Sequence, residues 1–268
     1  MSYPESRAQF GQNFLVHGKT VRKLVRLANY TKDDHVIEIG PGDGIITREL
    51  AEVVGRVTAI EIDAKLIPNL TRACRGLDNI EIIQHDFLGY KMPETPFSIF
   101  SNIPFNVTAQ IMQKLFWERN CPTDVYFIMQ KEVVEKFVGE PTSTESSAHF
   151  QPWFWFKQVA HLDRFEFRPV PSINAGLIHM HQRERPLLDH KHKKLYTQFV
   201  SYGFRAWKRN LKIGYKNIFT YAQWKRLAKN NGFAIESIPS DLNVQQWVAV
   251  FEYFLEGVPV EKQRLVRS

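Results

Sequence analysis

Five short apolar runs rich in β-branched residues, separated by connections that include segments of helical length, dominate the stretch from residue 35 to residue 129. They are His35-Val-Ile-Glu-Ile-Gly40, Val57-Thr-Ala-Ile-Glu-Ile-Asp63, Ile80-Glu-Ile-Ile-Gln-His-Asp86, Phe97-Ser-Ile-Phe-Ser-Asn102 and Asp124-Val-Tyr-Phe-Ile-Met129. Strands of this kind, joined by helices, bury both faces and pair in parallel. The pattern predicts an α/β fold with a doubly wound, mostly parallel sheet, and helices over 45–54 and 107–118 among the connections. Two further strands, around 158–167 and 173–181, follow a polar stretch at 139–147 that reads as a mobile loop.

The character of the sequence changes at Gln182-Arg-Glu-Arg-Pro186. A catalytic domain over 1–182 and a small, basic, helical C-terminal domain over 183–268 are therefore expected. Between Arg183 and Lys229 lie 13 Lys and Arg against 2 Asp and Glu, a local charge of +11, while the rest of the chain carries −4. Charge concentrated in this way is the footprint of a polyanion partner, whereas a merely solubilising surface mixes both signs. Val200, Phe204, Trp207 and Leu211 recur as one apolar helical face, with Arg205, Lys208, Arg209, Lys212 and Lys216 on the adjoining one. Arg205, Lys208, Arg209 and Lys212 are the expected nucleic-acid contacts, joined by Lys19, Arg22 and Lys23, which with Arg26 form an N-terminal basic cluster offering an alternative grip.

No membrane is expected as a partner, because no run of about 18 apolar residues exists. The N-terminal residues lack the apolar stretch of a secretory signal. Cys74 and Cys121 stand apart, which suits a reducing cytoplasm rather than a disulfide framework. His179-Met-His181 and His190-Lys-His192 have no neighbouring Cys or carboxylate set, so no metal is expected.

The segment Glu38-Ile-Gly-Pro-Gly-Asp-Gly44 lies between a predicted strand and a predicted helix. Gly40, Gly42 and Gly44 allow close approach of a ligand to the backbone and to the helix N-terminus. A dinucleotide fingerprint requires glycine at position 45, where this chain has Ile45. Glu61 closes the second run, placed to grip ribose hydroxyls, and Asp86 closes the third, placed to accept from an adenine amine. An adenosyl ligand at the carboxyl edge of the sheet satisfies all three.

Ser101-Asn102-Ile103-Pro104-Phe105 follows the fourth run and so belongs to the same edge. An exocyclic aromatic amine is a poor nucleophile, because its lone pair is delocalised into the ring. The Asn102 side-chain oxygen and the Ile103 carbonyl are each suited to accept one amine hydrogen and draw that lone pair out of conjugation. Pro104 fixes the turn, and Phe105 offers a ring for a flipped base to stack on.

These motifs resemble those of the erythromycin-resistance rRNA adenine-N6 methyltransferases, within the rRNA adenine dimethylase superfamily, from Phe10 to about Phe254. Gly11-Gln-Asn-Phe-Leu15, Glu38 to Gly44, Glu61-Ile-Asp63, His85-Asp-Phe87 and Asn102-Ile-Pro-Phe105 match the donor and acceptor motifs in order. Phe167-Arg-Pro-Val-Pro-Ser-Ile-Asn174 and Gln245-Gln-Trp247 are similar to later family motifs. The resemblance implies a class I methyltransferase (Rossmann-like) fold and S-adenosyl-L-methionine as cofactor. Gln12, Asn13, Leu15, Gly40, Gly42, Gly44, Glu61, Ile62, Asp86, Phe87 and Asn102 would hold it. Asn102, Ile103, Pro104 and Phe105 would be catalytic, with Phe167 as a second wall of the base pocket facing Phe105. It further implies a monomeric enzyme acting on 23S rRNA before the ribosome is fully assembled, conferring resistance to macrolides, lincosamides and streptogramin B. Phe105 and Ser101 stand where tyrosine and glycine are common in the family.

Two other readings keep the same motifs. A housekeeping 16S rRNA dimethyladenosine transferase shares the fold, but usually shows Asn-Leu-Pro-Tyr at the acceptor segment. A non-catalytic RNA-binding factor would have no need of Asn13, Gly40, Gly42, Glu61, Asp86 and Asn102 together.

Overall fold

The apolar runs form strands where the sequence predicts them, within a residue or two at each end. The computed structural model describes residues 13–104, 106–205 and 210–267. Its N-terminal elements are β1 (Phe14–Leu15), α1 (Gly18–Arg26), β2 (His35–Ile39), α2 (Ile45–Val53), β3 (Arg56–Glu61), α3 (Ile67–Ala73) and β4 (Ile80–Gln84). There follow β5 (Ser98–Asn102), α4 (Thr108–Trp117), β6 (Asp124–Gln130), α5 (Lys131–Val138), α6 (Glu145–Phe150), β7 (Phe154–Leu162), β8 (Phe167–Arg168) and β9 (Ala175–Gln182).

Seven of these strands make one sheet in the order β4-β3-β2-β5-β6-β9-β7. β2 to β6 run parallel along their shared borders, and β9 runs antiparallel to β6. Val36, Ile37, Val57, Ala59, Ile99, Phe100, Val125 and Phe127 are buried, as a sheet covered on both faces demands. The chain winds outward from β2 through β3 to β4, then returns to place β5 on the other side of β2. That reversal opens a crevice beyond the carboxyl ends of β2 and β5. β1 and β8 make a separate ribbon, with Phe14 opposite Arg168 and Leu15 opposite Phe167.

The chain divides into two compact units, and the division differs from the one expected at 182/183 in one segment. The first unit comprises residues through Val134 and Lys157–Gln182; the second comprises Glu135–Phe156 and the residues from Arg183 onward. The polar stretch read as a mobile loop ends in the second unit as the start of a capped helix. Thr144 Oγ1 accepts from the Ser147 N–H at 3.1 Å, and Ser147 Oγ accepts from the Thr144 N–H at 2.8 Å.

The rest of the second unit contains α7 (Lys193–Arg205), α8 (Leu211–Gly214), α9 (Tyr221–Asn231) and α10 (Val244–Gly257). The single amphipathic helix predicted to run past residue 211 is not continuous. α7 is described as far as Arg205, and Asn210, with extended backbone, starts α8 by accepting from the Ile213 N–H at 3.0 Å. Trp207, Lys208 and Arg209 lie outside the described residues. The core of this unit is aromatic: Phe199 lies 4.8 Å from Tyr215 and from Phe254, and Phe204 stacks on Trp247 at 5.7 Å. The Tyr215 hydroxyl donates to the Phe199 carbonyl at 2.7 Å. Gln246 and Trp247 serve the fold here, since Gln246 closes the capping box of α10 with Asn243 and Trp247 is fully buried. No helix among the described residues is long and apolar enough to cross a membrane.

Gly203 on α7 is where the backbone must come closest to this cluster. A Cβ there would stand 2.7 Å from Tyr215 Oη and 2.9 Å from Trp247 Cη2. Gly203→Ala should therefore destabilise the chain by about 1–3 kcal/mol through overpacking. Urea denaturation measures this, and an unchanged midpoint would show that α7 and α10 are less tightly apposed.

Candidate active site

The crevice at the strand reversal is tied across its floor by Ser101. The Ser101 hydroxyl, fully buried near the end of β5, accepts from the Ile39 N–H of β2 at 2.6 Å. The loop after β2 and the turn after β5 are thereby held in a fixed relation. A glycine at position 101 would leave that amide without this partner.

One cleft at this edge is lined by Gly40, Glu61, Ile62, Asp86, Phe87 and Pro104, all expected at the site from the sequence. Glu61 is fully buried, and its carboxylate accepts from the Gly42 N–H at 3.1 Å and the Asp63 N–H at 2.9 Å. Burial pushes its pKa up, and these backbone donors oppose the rise. Ile62 next to it is exposed. Asp86 Oδ1 caps the short turn Phe87–Gly89 by accepting from the Leu88 N–H at 2.9 Å, which leaves Oδ2 for a ligand. Gly42 has φ +57°, and a Cβ there would stand 2.5 Å from Phe14 Cε1, so the ring of β1 lies directly against the glycine loop. Gly44 is the N-cap of α2.

The cleft is completed by residues given no role from the sequence: Ile39, Ile60, His85, Leu88, Asn106, Val107 and Ile111. His85 and Leu88 flank Asp86 at the end of β4, so the carboxyl-edge rule that found Asp86 could have found them. Asn106, Val107 and Ile111 arrive with the start of α4 and carry no motif of their own.

The acceptor segment is not an ordinary capped helix start, since α4 begins only at Thr108 and its N-cap is Val107. The Asn102 Nδ2 donates to the Asn13 carbonyl at 2.6 Å. With the amide nitrogen held there, the side-chain oxygen is the atom that remains to accept. The Ile103 side chain is buried and its N–H donates to the Ile128 carbonyl at 3.3 Å. The Pro104 carbonyl accepts from the Val107 N–H and the Thr108 hydroxyl, which fixes the turn. Gln12 and Phe105 lie outside the described residues.

Several expected positions differ. Phe167 is fully buried in the apolar core with Leu15, Val21 and Phe100, so its ring presents no face to a base. Leu15, expected beside the cofactor, is a core residue for the same reason: it pairs with Phe167 across the β1–β8 ribbon. Arg22 is committed to Glu49 of α2 through two hydrogen bonds of 3.0 and 3.1 Å. Lys19, Lys23 and Arg26 are exposed on α1, whose Val21, Leu24 and Val25 are buried. Lys212 pairs with Glu236 and sits 5.9 Å from the Tyr221 ring centroid.

Comparison with known proteins gives these positions a context. The sequence matches the ribosomal RNA adenine dimethylase family over residues 4–256. It is 33% identical over 207 residues to an rRNA adenine N-6-methyltransferase of Corynebacterium diphtheriae, covering 76% of this chain and 80% of that protein. It is 28% identical to the ribosomal RNA small subunit methyltransferase A of Nitrosomonas europaea, covering 93% of this chain and 97% of that protein. The crystal structure of the 23S rRNA methyltransferase ErmE superposes with a TM-score of 0.82 at 27% identity, covering 90% of this chain and 99% of the other.

Behind the glycine loop, Glu38 is buried in β2, and neither its Oε2 nor Thr47 Oγ1 has a hydrogen-bond partner among the described residues. Burial pushes the Glu38 carboxyl up to about 8; the nearby Thr47 hydroxyl opposes the shift and the Glu61 charge adds to it. The folded state thus favours the protonated acid. Its contribution to stability is fully present below the ordinary pKa of 4.5 and is lost as pH rises through about 8. Glu38→Gln should remove that loss, so thermal melts at pH 5 and pH 9 should show the natural protein falling further than the variant. Parallel falls would mean that Glu38 does not ionise in this window.

Proposed function

The chain belongs to the ribosomal RNA adenine dimethylase family, and from that premise we propose that it methylates an adenine of 23S rRNA and so confers resistance to macrolides, lincosamides and streptogramin B. At the level of the family, it is an S-adenosylmethionine-dependent rRNA adenine N6-methyltransferase. The 23S address is supported by the superposition with ErmE over nearly its whole length. The observation that carries the chemistry is the Asn102 amide, anchored by its nitrogen to Asn13 at the end of β5.

The cleft suits an adenosyl donor on its own evidence. Gly40 has φ +64°, and a Cβ there would meet nothing within 4 Å, so the missing side chain leaves open space at the cleft. Glu61 brings a carboxylate for ribose hydroxyls, Ile62 and Phe87 bring apolar surface for a purine, and Asp86 Oδ2 brings an acceptor for an adenine amine. Gly42, Gly44 and the Asn13 backbone shape the loops around it. When bound, S-adenosylmethionine supplies an electrophilic methyl on a sulfonium, with a neutral thioether as leaving group.

The protein's part is to bind, aim and dry the acceptor amine. Asn102 Oδ1 and the Ile103 carbonyl accept the two N6 hydrogens, which rotates the nitrogen lone pair out of the ring and towards the methyl. As the N–C bond forms, the nitrogen becomes strongly acidic and its extra proton leaves through those acceptors to water. No strong base is needed. Phe105 stacks on the flipped base. Lys19, Lys23 and Arg26 on α1 face solvent and contribute a grip on phosphates, with Arg205 and the basic residues after it adding a second. The enzyme acts as a monomer on 23S rRNA not yet packed into the complete ribosome.

The deciding experiment is expression in a macrolide-sensitive bacterium. Erythromycin tolerance together with a primer-extension stop on 23S rRNA is the expected result. Dimethyladenosine on 16S rRNA without tolerance would instead select the housekeeping reading, favoured by the similarity to the small subunit methyltransferase. Absence of donor binding by calorimetry would select a non-catalytic RNA-binding role. Asn102→Ala should lower methylation by about 100-fold or more while donor affinity stays within a few-fold. Equal loss of both would remove Asn102 from the transfer step.

A further inference from the structure

His179 and His181 gain from the fold what their sequence neighbourhood lacks, a carboxylate. Both lie on β9, two residues apart, so their side chains share one face of the sheet. Asp124, the first residue of β6, stands directly opposite His181 in the antiparallel register, and Tyr126 stands opposite His179. His179 Nε2 lies 2.6 Å and His181 Nδ1 2.7 Å from the same Asp124 oxygen, Oδ1. One ligand atom from each of the three residues can be chosen so that all lie within 4.8 Å of one another. The His179 ring is held by the Tyr126 ring, stacked on it at 4.2 Å with an interplanar angle of 6°. The three side chains are 13%, 28% and 27% exposed for His179, His181 and Asp124, enough for water to reach the group.

We propose that Asp124, His179 and His181 bind one divalent cation of the zinc class at the amino end of β6. Two imidazoles and a carboxylate with an open fourth position are a donor set that zinc takes, at about 2.0–2.2 Å from each ligand atom. Ligand atoms on such a tetrahedron stand about 3.3 Å apart, so the two nitrogen–oxygen distances of 2.6 and 2.7 Å have to open by less than about 1 Å. On binding, the nitrogens facing Asp124 present lone pairs, and the proton of each neutral ring moves through water to the other nitrogen. The carboxylate stays ionised. The ion would clip β9, which runs against the direction of its neighbour, onto the parallel part of the sheet. This is the edge of the sheet opposite the carboxyl ends of β2, β3 and β5, so the site is separate from the donor cleft.

The test uses the full chain, purified without a histidine tag and stripped with a chelator. Calorimetric titration with Zn²⁺ should show one saturable site, and added Zn²⁺ should raise the melting temperature. Co²⁺ in its place should give the visible bands of a tetrahedral N/O site. Asp124→Asn and His181→Ala should each weaken Zn²⁺ binding by at least about tenfold, because even partners outside the ligand shell alter affinity about 10–100-fold. If a variant fails to fold by circular dichroism, the Co²⁺ spectrum of the natural chain decides. The absence of saturable binding, an octahedral aquo-like Co²⁺ spectrum, or undiminished binding in the folded variants would each overturn the site.

Discussion

One hydrogen bond sits at the point on which the proposed chemistry depends. β2 and β5 meet where the winding of the sheet reverses, and beyond their paired residues their ends must part to leave a crevice. A buried backbone N–H left without a partner there would cost about 1–3 kcal/mol. The Ser101 hydroxyl satisfies it, accepting from Ile39 at 2.6 Å. The glycine loop starts one residue beyond Ile39, and Asn102 is the residue after Ser101. On the proposed chemistry, the strand ends that carry the glycine loop and Asn102 are therefore held together side chain to backbone.

Much of this edge was legible in the sequence, because the rule that exposes it is topological. Parallel strands joined by helices bring their carboxyl ends together, so Gly40, Glu61, Asp86 and Asn102 could be grouped before any coordinates existed. The same rule says nothing about a residue's second partner. Phe167 matched a motif that implied stacking on a base, yet its pairing with Leu15 draws it into the core. Asp124 opens a strand as an unremarkable polar residue, and only the antiparallel register brings it to His179 and His181. Side-chain pairs between strands distant in sequence leave no local signature.

The single helix expected through the basic segment is broken for a different reason. A helical wheel drawn over residues 200–216 assumes a single axis, and Asn210 breaks that axis by capping a new helix. Its preference for caps was readable, but the apolar spacing of Val200, Phe204 and Leu211 outweighed it. Charge counting likewise treats each Lys as available to a polyanion, whereas Lys212 is paired with Glu236 and Arg22 with Glu49. Of the two motif-matching residues near the end, Gln246 caps α10 and bonds to the end of α9, and Trp247 packs in the aromatic core.

The hold of Asn13 on Asn102 has a consequence for the order of events during synthesis. Asn13 precedes a strand of two residues, too short to stand alone, that is stabilised by β8 and by the Val16 N–H donating to the Glu166 carbonyl. The donor loops at β2, β3 and β4 are complete long before Glu166 and Phe167 leave the ribosome. A nascent chain can thus possess a formed cofactor cleft while its acceptor amide is still unaimed. These contacts join residues about 150 positions apart, so their closure carries a loop-entropy cost that local contacts do not. On the proposed role of Asn102, its amide is aimed only once the first strand has paired with β8.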